Sequence, residues 1–238
     1  MKNLLTTDNK KTTKGEKYNY KTYILYMSPF TQNSKGINLC PFASKGCAES
    51  CLFTSGFGGI YESVKNARIQ KSEFFLNDRT KFLNQIKTEI EKAVKKHKGK
   101  EKIAIRLNGT TDISFEKFKI FDGKNIFELF PSIQFYDYTK NYKRFEKTLP
   151  SNYHLTFSRS ETNHSKAIEL LNKGFNVAMV FNNVPNEFEN FNVINGDETD
   201  LRFLDSKNSI VGLKYKKLTG KNSDNKKAIE SGFVINLN

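Results

Sequence analysis

Hydrophobic positions along the chain follow two periods. The first is a period of two. Lys102 to Leu107 sets Ile103, Ile105 and Leu107 on one side, with Ala104, Arg106 and Asn108 on the other. Around Ser132 to Tyr136, Ile133, Phe135 and Asp137 oppose Gln134, Tyr136 and Tyr138; around Tyr153 to Phe157, Tyr153, Leu155 and Phe157 oppose His154, Thr156 and Ser158. Such alternation predicts strands with one apolar and one polar face. Thr22 to Met27 reads as the first buried strand, ended by Ser28-Pro29, and further strands are expected at 175–181, 191–194 and 209–213. The second period is helical. It covers Tyr61 to about Gln70, then a stretch opened by Asn77 or Asp78 with Phe82, Leu83, Ile86, Ile90, Ala93 and Val94 on one face. That stretch closes in Lys95-Lys96-His97-Lys98-Gly99, with cations at the negative end of the helix dipole and a glycine stop. A third helix is predicted over His164 to Asn172, stopped by Gly174.

Strands alternating with helices predict a parallel α/β sheet. No glycine-rich dinucleotide turn is present, and one face of each strand is polar. A sheet covered by helices on both sides should be apolar on both. We therefore expect a partial or irregular (β/α) barrel with a polar interior, the alternative being a half-exposed sheet. Residues 1–20 lack periodicity and read as a flexible basic arm, leaving 21–238 as a single barrel-like domain.

Composition adds partners and compartment. The chain is 37% hydrophobic with 21 Phe and 10 Tyr, enough for a core, yet no apolar run approaches the roughly 20 residues that span a bilayer. The N-terminus has no apolar signal core, so a cytoplasmic protein is expected. The formal net charge is +14, with six lysines between Lys2 and Lys21 and six between Lys214 and Lys227. Such a field attracts nucleic acid or another anionic partner. A solubilising surface is the competing explanation, and no nucleic-acid motif is recognisable.

The chemistry centres on Cys40, Cys47 and Cys51, which are all the cysteines of the chain. An odd, clustered set suits metal binding better than a disulfide framework. Structural zinc takes four ligands, and His97, His154 and His164 all lie far away in sequence. A [4Fe–4S] cluster held by three cysteines would leave one iron open to a ligand or substrate. The cluster is the favoured reading, with zinc and no metal as alternatives. The glycines of Ser55-Gly-Phe-Gly-Gly59 would let the backbone approach closely.

Polar residues gather where the strands end, the edge at which α/β folds build sites. Arg106, Asn108 and Asp112 follow one strand and are ligand candidates, although Asn108-Gly109-Thr110 also suits a plain turn and Asp112 a helix cap. Asp137, Tyr138 and Lys140 follow the next, with Lys140 a candidate anion binder. His154, Ser158 and Glu161 complete the set. Gly196 to Asp200 lacks the pattern of a calcium loop and reads as structural, and Arg202 is expected to pair with Asp205. There is no nucleophile elbow, phosphate-binding loop or dinucleotide fingerprint.

The segments CPFASKGCAESCLFTSG, RLNGTTDISFE, FPSIQFYDYTK, NYHLTFSRSE, NVAMVF, GDETDLRFLD and IVGLKYK recur in this order over about residues 20–235. In them the chain resembles the phage and prophage gene product 88-like domain family. The resemblance implies a viral protein with a cysteine cluster, acting in the host cytoplasm, and carries no assured reaction. A more distant likeness is to the radical S-adenosylmethionine barrels, which place three cysteines after their first barrel strand. Cys47-Ala-Glu-Ser-Cys51 matches the first half of their C-x-x-x-C-x-x-C spacing, but the third position falls on Thr54 and Cys40 lies upstream. Three functions stay open: a cluster-dependent enzyme that is radical-enzyme-like or otherwise, a noncatalytic redox or structural cluster protein, and a basic nucleic-acid-binding phage protein with a structural metal.

Overall fold

The computed structural model describes residues 3–9, 12–51, 61–217 and 225–237. Ten strands form one sheet among these residues: β1 (Leu5–Thr6), β2 (Tyr20–Leu25), β3 (Lys102–Arg106), β4 (Gln134–Thr139), β5 (Tyr153–Ser158), β6 (Val177–Phe181), β7 (Glu187–Phe188), β8 (Phe191–Asn195), β9 (Ile210–Lys214) and β10 (Val234–Ile235). Their spatial order is β1-β2-β3-β4-β5-β6-β9-β8-β7, with β10 also beside β6. β2 through β6 lie in chain order and run parallel, as do β9 and β8 beyond them. Only the two ends, β1 on β2 and β7 on β8, pair antiparallel. The protein is thus α/β with a mostly parallel sheet, and the sheet is not closed.

One face of that sheet is apolar because helices cover it. Among the described residues the α-helices are α1 (Lys45–Glu49), α2 (Glu62–Asn77), α3 (Arg79–His97), α4 (Ile126–Leu129), α5 (His164–Asn172) and α6 (Asn225–Glu230). α3 starts where Asp78 accepts the Lys81 N–H at 2.9 Å, so Asp78 is the cap. Its buried stripe holds Phe82, Leu83, Ile86, Ile90 and Ala93, which pack with Ile103, Ile105, Leu107 and Phe135 from the apolar strand faces. Val94, expected on this stripe, is exposed, and His97 takes its place inside. The reason is periodic: four residues after Ala93 the helix returns to the same face, while Val94 sits at its margin. His97 is made tolerable there by Tyr23 Oη at 2.9 Å and Glu101 Oε2 at 2.6 Å. The α2 helix runs longer than its pattern suggested, to Asn77, and α5 matches its predicted span.

The other face is more polar, and irregular chain with short helical turns lies on part of it. The one-turn helix Arg202–Leu204 packs over β5, while Leu201 and Phe203 meet Ala104, Tyr136 and Tyr20. Arg202, fully buried, lies 3.3 Å from Asp205, the pairing expected from sequence. Residues 1–20 need a correction. Their described part is not a loose arm: Leu4 and Leu5 are buried, β1 pairs with β2, and both the Leu4 and Leu5 N–H groups donate to Glu89 at 2.8 Å. Two adjacent leucines amid polar residues give no period to read, yet they are enough to seal the sheet edge. β1 also makes the strand before the cysteine loop the second in the chain, not the first. Residues 55–59 lie outside the described residues.

Candidate functional site

The C-terminal ends of the parallel strands surround a cavity of about 250 Å³. Each strand hands the chain to it in turn. After β2 comes the cysteine loop. After β3, Gly109 brings the backbone so close to β2 that an added Cβ would lie 2.7 Å from both the Leu25 carbonyl and Ile24 Cγ2. That approach lets the Gly109 N–H donate to Leu25 O at 2.9 Å and the Asp112 N–H to Leu39 O at 3.0 Å. The loop after β3 is thereby stitched to the cysteine loop.

Cys40, Cys47 and Cys51 all line this cavity, and none is in a disulfide. Cys47 rides on α1, whose start is fixed by Ser44: its side chain accepts the Cys47 N–H at 3.2 Å and its hydroxyl donates to Glu161 Oε2 at 2.8 Å. The other Glu161 oxygen accepts the Gly46 N–H at 2.8 Å. Glu161 therefore braces the thiol loop from behind. Gly46 is needed because a Cβ there would meet Ser231 Oγ at 2.5 Å. Burial pushes the Cys40 thiol up strongly, and negative charge on Cys51, Asp112 and Cys47 adds to the effect, while the Phe30 N–H at the sulfur opposes it. Phe30 itself holds a left-handed backbone (φ +55°), costly for a bulky residue, and lines the cavity.

The same cavity is lined by Arg106, Tyr138, Lys140 and Ser158. Arg106 is buried and donates to Asp200 Oδ2 at 3.1 Å, with its guanidinium 4.6 Å from the centre of the Tyr138 ring. Burial alone would lower the Arg106 guanidinium, but Asp200 and its neighbours outweigh this and hold it charged. Tyr138 is pushed up to about 12 by burial, so its hydroxyl stays protonated. The Lys140 ammonium donates to Ser158 Oγ at 2.6 Å. Asn108 and Asp112 also line the cavity, but their polar atoms serve the fold. Asn108 Oδ1 accepts from the Thr111 hydroxyl and the Ile113 N–H, while Asp112 takes the Thr139 hydroxyl at 2.7 Å and the Lys140 N–H at 2.8 Å. Burial raises the Asp112 carboxyl despite these donors.

The remaining candidates stand elsewhere. Asp137 is fully buried beneath the edge, receiving the Asn108 N–H at 2.7 Å and the Tyr153 hydroxyl at 2.9 Å. Glu161 is a brace. His154 does not line the cavity; it sits on the polar sheet face, lowered to about 4 by burial and then by Arg202, and so is neutral. Asp200, read as structural from its loop, proves to hold Arg106, and Arg144, not singled out at all, ion-pairs with Glu116 at 2.8 Å and lies 3.6 Å from Asp112. These pairs join residues far apart in sequence, so no local pattern signals them.

Could the thiols hold a metal? Among the described residues no group of three His, Cys, Asp or Glu is placed to hold one metal ion. A single zinc needs its donors to converge on one point, at about 2.3 Å for sulfur. A cluster offers separate irons to separate thiolates and does not. The three thiols line one cavity, with a backbone N–H on the Cys40 sulfur.

Fold and cavity together define an α/β protein with an open, mostly parallel sheet and a thiol-walled pocket at the strand C-termini. The chain belongs to the Gene product 88 family, whose model matches residues 3–237. The kinship expected from the seven segments therefore holds; the radical S-adenosylmethionine likeness gains no support from it. No curated protein and no solved structure matches the chain. Among the described residues no helix is long and apolar enough to cross a membrane.

Proposed function

We propose that the chain is an iron–sulfur protein in which Cys40, Cys47 and Cys51 bind a [4Fe–4S] cluster, with the fourth iron turned to a small-molecule ligand. The observation that carries this reading is that all three cysteines wall one cavity at the strand C-termini. We also read the sheet as the wall of a partial (β/α) barrel, since β2 to β6 run parallel in chain order with helices on the apolar side. A cluster there would supply an electron or a Lewis-acidic iron to the pocket. The protein's own part is positional: Ser44 and Glu161 fix the turn carrying Cys47, and the Phe30 N–H steadies the Cys40 thiolate.

Anaerobic purification followed by iron and sulfide assay tests the reading. About four irons and about four sulfides per chain are expected; one zinc, or no metal, would overturn it. Adding S-adenosylmethionine to the reduced protein then asks whether the open iron serves radical chemistry, and an unchanged spectrum with no cleavage removes that version. A noncatalytic redox or structural cluster remains the alternative use of the same thiols. The nucleic-acid reading is weaker: Lys17 pairs with Glu198, and Lys21 with Asp8 and Glu16, so part of the N-terminal charge is already answered within the chain.

A further inference from the structure

The cavity lined by the cysteines is also rich in cations. Lys14, Arg106, Lys140, Lys214 and Lys216 line it, against the carboxylates Asp112, Asp197 and Asp200. Most of this charge is already engaged. Arg106 is held by Asp200, and Lys216 by Asp197 at 2.8 Å. The Lys14 ammonium reaches the Asp197 carbonyl. Asp112 gives its two carboxylate oxygens to the Thr139 hydroxyl and the Lys140 backbone N–H and lies 3.6 Å from Arg144, so it attracts the Lys140 ammonium through space without a hydrogen bond to it. Lys140 differs from Arg106 and Lys216 in kind. Its half-buried ammonium has the neutral Ser158 hydroxyl at 2.6 Å and the Phe233 ring centre at 5.6 Å.

A cation drawn partly out of water gains most from a hydrogen-bonded partner of opposite charge, and the ammonium of Lys140, a cavity-lining residue with three donors, is hydrogen-bonded to a neutral hydroxyl. Ser158 can turn its own proton toward the same oxyanion while accepting from Lys140. Apolar side chains also line the pocket, among them Phe30, Ala43, Val180, Leu213 and Phe233. We propose that this cavity binds a small organic oxyanion, a phosphate or carboxylate head held by Lys140 and Ser158 with an apolar body against Phe233 and Leu213. The proposal concerns the same pocket as the cluster reading but does not need the metal.

The test is a titration of the anaerobically purified full chain with phenyl phosphate, benzoate, inorganic phosphate and benzyl alcohol. Phenyl phosphate or benzoate is expected to bind saturably, and the neutral benzyl alcohol roughly 10-fold or more weaker, since a charge-assisted hydrogen bond is lost. Preference for phenyl phosphate assigns a phosphate head, preference for benzoate a carboxylate. Inorganic phosphate is expected to bind more weakly than phenyl phosphate, because it leaves the apolar lining uncovered. Lys140→Met keeps the aliphatic stem and should weaken the preferred probe roughly 10-fold or more. If that variant does not fold, Ser158→Ala carries the test, with a weakening of roughly 5-fold expected from a neutral hydrogen bond. No saturable binding of either aryl anion, or wild-type affinity in the folded variant, overturns the proposal. Iron content measured on the same sample keeps the two readings apart. Iron without anion binding sinks only this proposal, and anion binding without iron sinks only the cluster.

Discussion

Asp137 shows how a single residue ties the sheet edge to the pocket. It is fully buried, it accepts from Asn108 and Tyr153, and burial lifts its carboxyl to about 6. The unfolded chain loses this proton near the ordinary value of 3.8, while the folded chain holds it to about 6. Between those values the native state binds more protons, so stability from this group is present at low pH and lost as pH rises through the window. Asp137→Asn should therefore flatten the fall in the urea midpoint between about pH 4 and about pH 7 relative to wild type. The slope is the readout, because the amide also presents a donor toward Asn108 and lowers stability at every pH. An unchanged slope would show that the carboxyl titrates normally. Glu161 makes the complementary case. Glu161→Ala leaves the Gly46 N–H and Ser44 hydroxyl without their acceptor and should cost about 1–3 kcal/mol in chemical unfolding. An expectation from sequence had made Glu161 a ligand; a carboxylate's reach to another loop is not visible in its neighbours along the chain.

At the scale of elements, β1 and the β3 exit loop are the informative pieces. If residues 3–9 were loose, Leu4→Ala would change little. Packed as they are, with Leu4 fully buried, the substitution should cost about 2–5 kcal/mol, measured by thermal or urea unfolding. Gly109→Ala tests the stitch between β2 and the site. Its new methyl must displace Leu25 backbone at 2.7 Å, which should lower the melting temperature by a cost of about 1–3 kcal/mol. The alternation in β3, β4 and β5 was legible because period-two pattern and burial obey the same geometry: Ile105 packs inside the helical layer and Arg106 points away from it. The β1 strand was not, because two residues carry no period. His97 for Val94 on α3 was a near miss of the same kind, since hydropathy favours valine where the helical repeat and two hydrogen-bond partners favour histidine.

For the whole molecule, a cluster bound only by the folded chain would stabilise it by mass action. Protein purified anaerobically should melt at a higher temperature than the same protein after iron is chelated, and coincident melting curves would argue that the cavity holds no metal that supports the fold.

By itself the sequence determined that strands and helices alternate, that each strand has one polar side, that three thiols share one loop, and which family the chain resembles. These are local or ordered facts, carried by periodicity, by glycine and capping residues, and by motif order. Only the tertiary structure decided that Asp200 answers Arg106, that Glu161 braces Cys47's turn, that His154 stays outside the pocket, and that Lys140 faces it with a neutral partner. The reason is physical. Parallel strands return every crossover to the same edge, so loops separated by dozens of residues become neighbours through hydrogen-bonded register, and no spacing along the chain encodes which of them will touch.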